Sequence, residues 1–286
     1  MDSVEVLPEG ELFPEGIDPT PRLTSPLHRK KLRMICAEII NERGYLSVAT
    51  ETESYLEIPS WSIYGSAPQN LDRETRMAFI IKRPDTPVLD SKGKSKKYLF
   101  PAKTKNILDC LPSMKDSAVS SMMRLWICES IIKGDAMNTL FRAAGEKVFY
   151  DNVAVSINGT YGWKTSFNSM ARSGRSSVSL PELDTLPIKN REIVIAFDND
   201  YNSKNNRKAV LGFGALLTAK NAKVLILRIP TAGGKMGIDD FIDQGNGWDQ
   251  VWPLVANYFD SPDEGEWKKP KDTLERSETT GKAISS

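Results

Sequence analysis

The sequence predicts an α/β fold, a mainly parallel sheet flanked by helices, with a small strand-rich subdomain on its N-terminal side. Two observations predict it. From Met122 onward short apolar runs alternate with amphipathic stretches, the pattern of strands covered on both faces by helices. Between Tyr45 and about Pro112, β-like runs are instead separated by turn-rich loops.

The elements follow in order. Residues 1–26 hold Pro8, Pro14, Pro19, Pro21 and Pro26 among acids and glycines, and read as an extended or disordered arm; residues 261–286 read as a disordered tail. Leu32, Ile35, Cys36, Ile39 and Ile40 recur at helical spacing and Gly44 supplies a stop after Arg43, which predicts a first helix. The runs MAFIIKR and KKYLFPA flank RPDTPVLDSKGKSKK, a long hairpin connection. These segments make a subdomain over 27–121, followed by an α/β domain over 122–260.

In the second domain, Leu125–Cys128 is a short strand ending at Glu129. A helix follows with Ile132, Ala136, Met137, Leu140, Phe141 and Ala144 on one stripe and Gly145 as the break. Val153–Ile157 is a strand running into an Asn158-Gly159 turn. Residues 164–190 are Ser-rich, with room for one short helix. EIVIAF, Glu192–Phe197, is a near-continuous buried strand that runs into Asp198-Asn199-Asp200. A helix over 206–219, a strand over 223–229 and a closing helix from near Asp239 complete the order.

Composition narrows the chemistry. The chain has 286 residues, 40% hydrophobic and 26% charged, which is ordinary globular usage, and its apolar runs fall short of a membrane span. A membrane protein is excluded. MDSVEVLPEGELFPEG lacks the basic and apolar regions of a secretory signal, so a cytoplasmic address is expected. Cys36, Cys110 and Cys128 are odd in number and far apart, which builds neither a zinc knuckle nor a disulfide framework. His28 is the single histidine, which removes histidine triads and multi-histidine zinc sites. Catalysis here must lean on carboxylates, lysine, arginine or metal.

The formal charge of +1 conceals a division. Residues 1–26 carry six acids against one base and residues 261–286 six against five, which leaves +7 on 27–260. Such a body favours polyanionic partners. Lys92, Lys94, Lys96 and Lys97, then Lys103 and Lys105, interleave with Tyr98 and Phe100. They form either a solvated loop or a surface for phosphate backbone and stacked bases.

Open α/β sheets bind ligands at the carboxyl ends of their strands. Three acidic sets fall there: Glu129, Asp198 with Asp200, and Asp239 with Asp240. Asp198 and Asp200, one residue apart in extended chain, point the same way and can share one cation. Crowded carboxylates repel, and a hard dication such as Mg²⁺ is the simplest neutraliser. The competing reading is helix capping, for which Asp239-Asp240 ahead of Phe241 is well placed.

In order and spacing, WICESIIKGDAM, AVSINGTYGW, VIAFDNDYNSKNNRKAVLGFGALLTAKNAKVLILRIP and GGKMGIDDFIDQG resemble the successive motifs of the TOPRIM domain. That domain is shared by bacterial-type primases, topoisomerases, small nucleases and recombination proteins. The chain is most similar to a TOPRIM-like family in replication proteins of phages, plasmids and other mobile elements. The similarity spans about 27–250 and includes RGYLSV, IPSWSI and KYLFPA. It implies a Rossmann-like TOPRIM fold, with Glu129 as general acid or base and Asp198 and Asp200 holding Mg²⁺ or Mn²⁺. It further implies that Asp239 or Asp240 supports a second metal, that Asp135 joins the cluster, and that Lys133 and Lys235 contact phosphate.

The implied activity is primase-like nucleotidyl transfer on single-stranded or forked DNA, alongside a separate replicative helicase. A nuclease uses the same carboxylates to direct water, and a non-catalytic nucleic-acid-binding module keeps the fold alone. Ser130 stands where the family commonly has glycine, and no zinc ribbon occurs. No GxxxxGK[ST] occurs either, so the chain is not itself the helicase.

Overall fold

The computed structural model describes residues 22–64, 77–167, 176–198, 204–230 and 235–258. The predicted first helix is two: α1 (Pro26–Leu32) and α2 (Ala37–Arg43). Cys36, extended at φ −67° and ψ 156°, breaks the run and opens α2. Gly44 ends α2 in the left-handed region at φ 81°, where its N–H donates to the Ile40 carbonyl. The apolar spacing was real, because Leu32, Ile35, Ile39 and Ile40 are all buried. It marked one buried face across two helices. The N-terminal arm is also shorter than the expected 1–26: Leu23 is buried, and the Arg22 carbonyl accepts from the Ser47 N–H at 2.8 Å. The rest of the arm, and the tail, lie outside the described residues.

Strands β1 (Leu46–Ala49), β2 (Ser54–Trp61) and β3 (Met77–Pro84) form an antiparallel sheet in that order. The lysine-rich connection then folds on itself. β4 (Val88–Leu89) and β5 (Ser95–Lys96) pair around Gly93, whose φ of 73° suits glycine. KKYLFPA returns to β3 through a single bridge, Lys82 to Leu99, rather than as a full strand.

The rest of the chain is a second sheet with its helices: α3 (Lys115–Val119), β6 (Arg124–Cys128), α4 (Ile131–Ala143), α5 (Glu146–Asp151) and β7 (Asn152–Ser156) come first. A side hairpin of β8 (Lys164–Phe167) and β9 (Ser176–Ser179) and the short α6 (Glu182–Thr185) occupy the Ser-rich stretch. β10 (Glu192–Ala196), α7 (Lys204–Ala219), β11 (Lys223–Leu227), α8 (Ile238–Asp243), α9 (Trp248–Val251) and β12 (Val255–Asn257) complete it. The sheet order is β12-β11-β10-β6-β7, parallel except for β12 at the edge.

Its central strands read as continuous apolar runs because both faces are covered. The crossovers β6–α4–β7 and β10–α7–β11 run in opposite directions along the sheet, so right-handed connection puts α4 and α7 on opposite faces. Trp126 of β6 packs on Phe141 of α4 with ring centres 5.5 Å apart, and on Trp248 of α9 at 5.9 Å. Phe213 of α7 stacks on Phe197 at 6.0 Å and on Trp163 at 5.3 Å. One hydrophobic core runs from Leu23 to Tyr258 through both sheets. No helix among the described residues is long and apolar enough to cross a membrane.

A buried polar knot fixes the first sheet to α4. Arg43 donates to Asp135 through Nε at 2.9 Å and Nη2 at 2.7 Å, and to Asp109 through Nη1 at 3.0 Å. Tyr45 donates to Asp135 at 2.8 Å, and Ser60 and the Trp61 N–H donate to Asp109 at 3.0 and 2.7 Å. Burial pushes Asp109 up to about 6, with Arg43 and the Trp61 N–H pulling the other way. A carboxyl raised in the native state binds a proton there that the unfolded chain releases, so this contribution to stability grows as pH falls from about 6 toward 4. Urea unfolding at pH 6 and pH 4 should therefore show the wild type gaining on Asp109→Asn at the lower pH. Parallel pH dependence in the two proteins would contradict it.

Candidate active site

The strand order reverses between β6 and β10, which makes their carboxyl ends the crevice where such sheets bind ligands. Cys128 pairs with Ala196 across that boundary. Glu129 follows directly on β6 and Asp198 stands two residues beyond β10, so neighbouring strands deliver both carboxylates to one place. α4 starts at Ile131 after the extended Ser130, and Lys133, four residues from Glu129, folds back over it.

Lys133 is the centre of the arrangement. Its Nζ donates to Glu129 Oε1 at 2.6 Å and also to Asp198 Oδ1; Lys133 and Asp198 are buried and Glu129 is partly so. Lys235 Nζ, on an exposed side chain, lies 2.8 Å from Asp198 Oδ2. Asp239, in the first turn of α8, brings a third carboxylate, whose Oδ1 is buried without a hydrogen-bond partner. Gly237, not an aspartate, is the N-cap of α8; Asp240, three residues on and inside the helix, accepts from the Gly237 N–H through Oδ2 at 3.1 Å.

Charge and burial act against each other here. Burial raises Glu129, and the facing Asp198 carboxyl raises it further, while Lys133 opposes both. Burial would raise Asp198 too, but its hydrogen bond with Glu129 and the two ammonium groups hold it down to about 2. The two carboxyls titrate as a pair in which Glu129 is the member able to carry a proton. Burial and Asp240 raise Asp239. Burial opposes the charge of Lys133, and the surrounding carboxylates outweigh it.

These groups line a cleft of about 490 Å³. Its other wall comes from the first sheet and its hairpin: Ile58, Ile81, Arg83, Lys97, Tyr98 and Phe100. Arg83 hydrogen-bonds the Tyr98 hydroxyl at 3.1 Å. Ser130, Asn158 and Gly159 close the end beside β7, and Asn158 Nδ2 is buried without a partner. An acidic floor, a basic rim and an aromatic wall thus face one space.

Some expected residues stand elsewhere. Asp135 does not join the cluster: two residues past Lys133 is 200° around the helix, and Arg43 and Tyr45 take its carboxylate on the far side. Asp200 lies outside the described residues. Of the basic run, Lys97 lines the cleft, whereas Lys92, Lys94 and Lys96 are exposed on the hairpin and Lys103 and Lys105 on the surface beyond it. Lys133, expected to contact phosphate, is buried between Glu129 and Asp198. Arg83 and Asn158 escaped the sequence reading, although each stands at the end of a strand, the signal that found Glu129.

The donor set suits a hard dication: Glu129, Asp198 and the unpartnered Asp239 Oδ1 are oxygen ligands of the kind Mg²⁺ takes. Among the described residues, however, no three acidic, cysteine or histidine side chains are gathered as a ligand set. Lys133 holds two of them instead. Gly237 lets α8 come this close. A Cβ there would overlap Asp239 Oδ1, stand 2.8 Å from Asp198 Oδ1 and stand 2.9 Å from Lys133 Cε. Gly237→Ala should therefore cost about 1–3 kcal/mol of stability, the usual effect of forcing extra bulk into packed surroundings. Urea unfolding of the variant checks this, and an unchanged midpoint would contradict it.

A family model described as a domain of unknown function (DUF3854) matches residues 119–248, which contain Glu129, Lys133, Asp198, Lys235 and Asp239. No curated protein matches the sequence significantly. Among solved structures, the chain is similar to the primase fragment of the bacteriophage T7 primase-helicase protein, with 13% identity, a TM-score of 0.42 and coverage of 77% of this chain and 70% of that one. It is also similar to the Aquifex aeolicus primase comprising the zinc-binding and RNA polymerase domains, with 16% identity, a TM-score of 0.40 and coverage of 76% of this chain and 45% of that one.

Proposed function

We propose that the chain is a TOPRIM-like, primase-type nucleotidyl transferase that works on single-stranded DNA in replication of a mobile element, beside a separate helicase. The sequence motifs support the family and its setting. One observation carries the chemistry: three carboxylates and two lysines from three separate stretches of chain line one cleft at the switch point of a parallel sheet, and the opposite wall of that cleft is basic and aromatic.

Residues 122–260 supply the carboxylates in this reading, and 27–121 supply the wall that receives nucleic acid. Glu129 moves the proton, because it is the carboxyl pushed up within its pair. Asp198 and Asp239, with Asp200, are the residues that would hold Mg²⁺ or Mn²⁺. Bound there, the ion supplies charge neutralisation at a transferring phosphoryl group. Lys235, Lys97 and Arg83 bind phosphate oxygens, Asn158 donates its unpaired N–H to the substrate, and Phe100 offers an exposed ring to a base. Lys92, Lys94 and Lys96 guide the strand from the hairpin.

The test is incubation with a single-stranded template, labelled nucleotides and Mg²⁺ or Mn²⁺, resolved on a sequencing gel. Products longer than the input are expected. Shortened strands would assign the same carboxylates to hydrolysis. Unchanged strands, with binding that depends on Lys94, Lys96 and Lys97, would leave a binding module.

A further inference from the structure

Both oxygens of Asp198 and one of Glu129 are engaged by lysine, so the carboxylates that would receive a dication already hold monovalent charge. Lys133 is not a surface lysine that drifted inward. Its side chain is 9% exposed, it rises from the first turn of α4, and α8 closes over its Cε at Gly237. An ammonium and a divalent ion compete for Glu129 Oε1 and Asp198 Oδ1, since both draw on the same oxygens at close quarters and their charges repel. Lysine also suits departure, being a compact charge on a flexible four-carbon stem. Lys235 stands half outside already, with 56% of its side chain exposed.

Building on the assignment of these carboxylates to a divalent ion, we propose that Lys133, assisted by Lys235, is a resident cation that keeps the carboxylates together until polyphosphate draws the ammonium groups away. Divalent ion and polyphosphate then load the cleft as a cooperative pair. Either ligand alone meets resistance: the ion must evict Lys133, and the phosphates must leave three carboxylates uncompensated. Together each removes the other's obstacle, and linkage makes the gain reciprocal. The chain would thereby keep its carboxylates free of metal until a substrate is present.

The test uses the full chain, with Mn²⁺ at buffered free concentration followed by electron paramagnetic resonance, with and without inorganic tripolyphosphate. The wild type is expected to bind Mn²⁺ weakly alone and roughly 5–150-fold more tightly with tripolyphosphate, the usual range of coupling. Lys133→Met should bind Mn²⁺ alone about tenfold or more tightly than the wild type and lose most of that coupling. Lys133→Gln, which keeps a donor without the charge, should behave alike and serves if the methionine variant folds poorly. Equal Mn²⁺ affinity in wild type and both variants overturns the exchange while leaving the metal assignment intact. Weaker binding in the variants overturns it too, since Lys133 would then be helping the ion. Absence of Mn²⁺ binding in every protein, with tripolyphosphate present, overturns the exchange and the proposed function together.

Discussion

Glu129→Gln is expected to lower nucleotidyl transfer by roughly 10²–10⁴-fold, the usual worth of a positioned acid or base. The fold should survive, because glutamine keeps the size of the side chain and an oxygen that accepts from Lys133 Nζ, now 2.6 Å from Glu129 Oε1. Its β6 and α4 surroundings are held by core contacts that the substitution does not touch. Single-turnover extension assays alongside thermal melts separate the two effects. A variant that keeps its activity would remove Glu129 from the chemistry. A variant that fails only because it unfolds would make Glu129 a structural residue.

The second large effect falls on stability. Arg43→Met removes the cation between two buried carboxylates, and stranding buried charge in this way costs about 3–5 kcal/mol. For a body of this size that corresponds to a drop in melting temperature on the order of 10 °C. Adding Asp135→Asn to Arg43→Met should recover part of the loss, because it deletes one of the stranded charges. Urea denaturation of the three proteins measures this directly. A change below about 1 kcal/mol, the scale of exposed ion pairs, would mean that the knot is hydrated and holds nothing together. The same logic separates Asp135 from the cleft: Asp135→Asn alone should cost stability, and should reduce activity only as far as the protein unfolds.

Much of the second sheet was legible because its strands are buried on both faces. Leu125–Cys128 and Ile193–Phe197 are apolar throughout, so their ends, and therefore Glu129 and Asp198, could be placed to within a residue or two. Gly145 marked the end of α4 for a conformational reason, its φ of 96°. The failures were of a different kind. Helix α5 has no fully buried residue and packs only Val148 and Phe149 partly against the core, too short a stripe to read. Strand β12 has three residues and sits at an edge, where pairing rather than pattern defines it.

Within the site, linear spacing misled where a partner came from far along the chain. Asp135 looked like part of the cluster until Arg43, 92 residues earlier, took it to the other face of α4. Lys133 was expected to contact phosphate, and its burial between two carboxylates could not be read because it depends on α8, far along the chain, closing over it. Tyr98 and Phe100 were noticed for their interleaving with lysines, but only the fold of β3 and its hairpin brings them opposite Glu129. Distances along the chain constrain one face of one element. They say nothing about which other element covers it.

The most direct measurement is anomalous diffraction from a crystal grown with Mn²⁺ and a non-hydrolysable nucleoside triphosphate. A manganese peak bonded to Asp198 or Asp239, with the triphosphate in the same cleft and the Lys133 ammonium turned onto it, is the predicted result. Lys133 still clasping both carboxylates, with ion and nucleotide bound elsewhere or absent, would contradict the account.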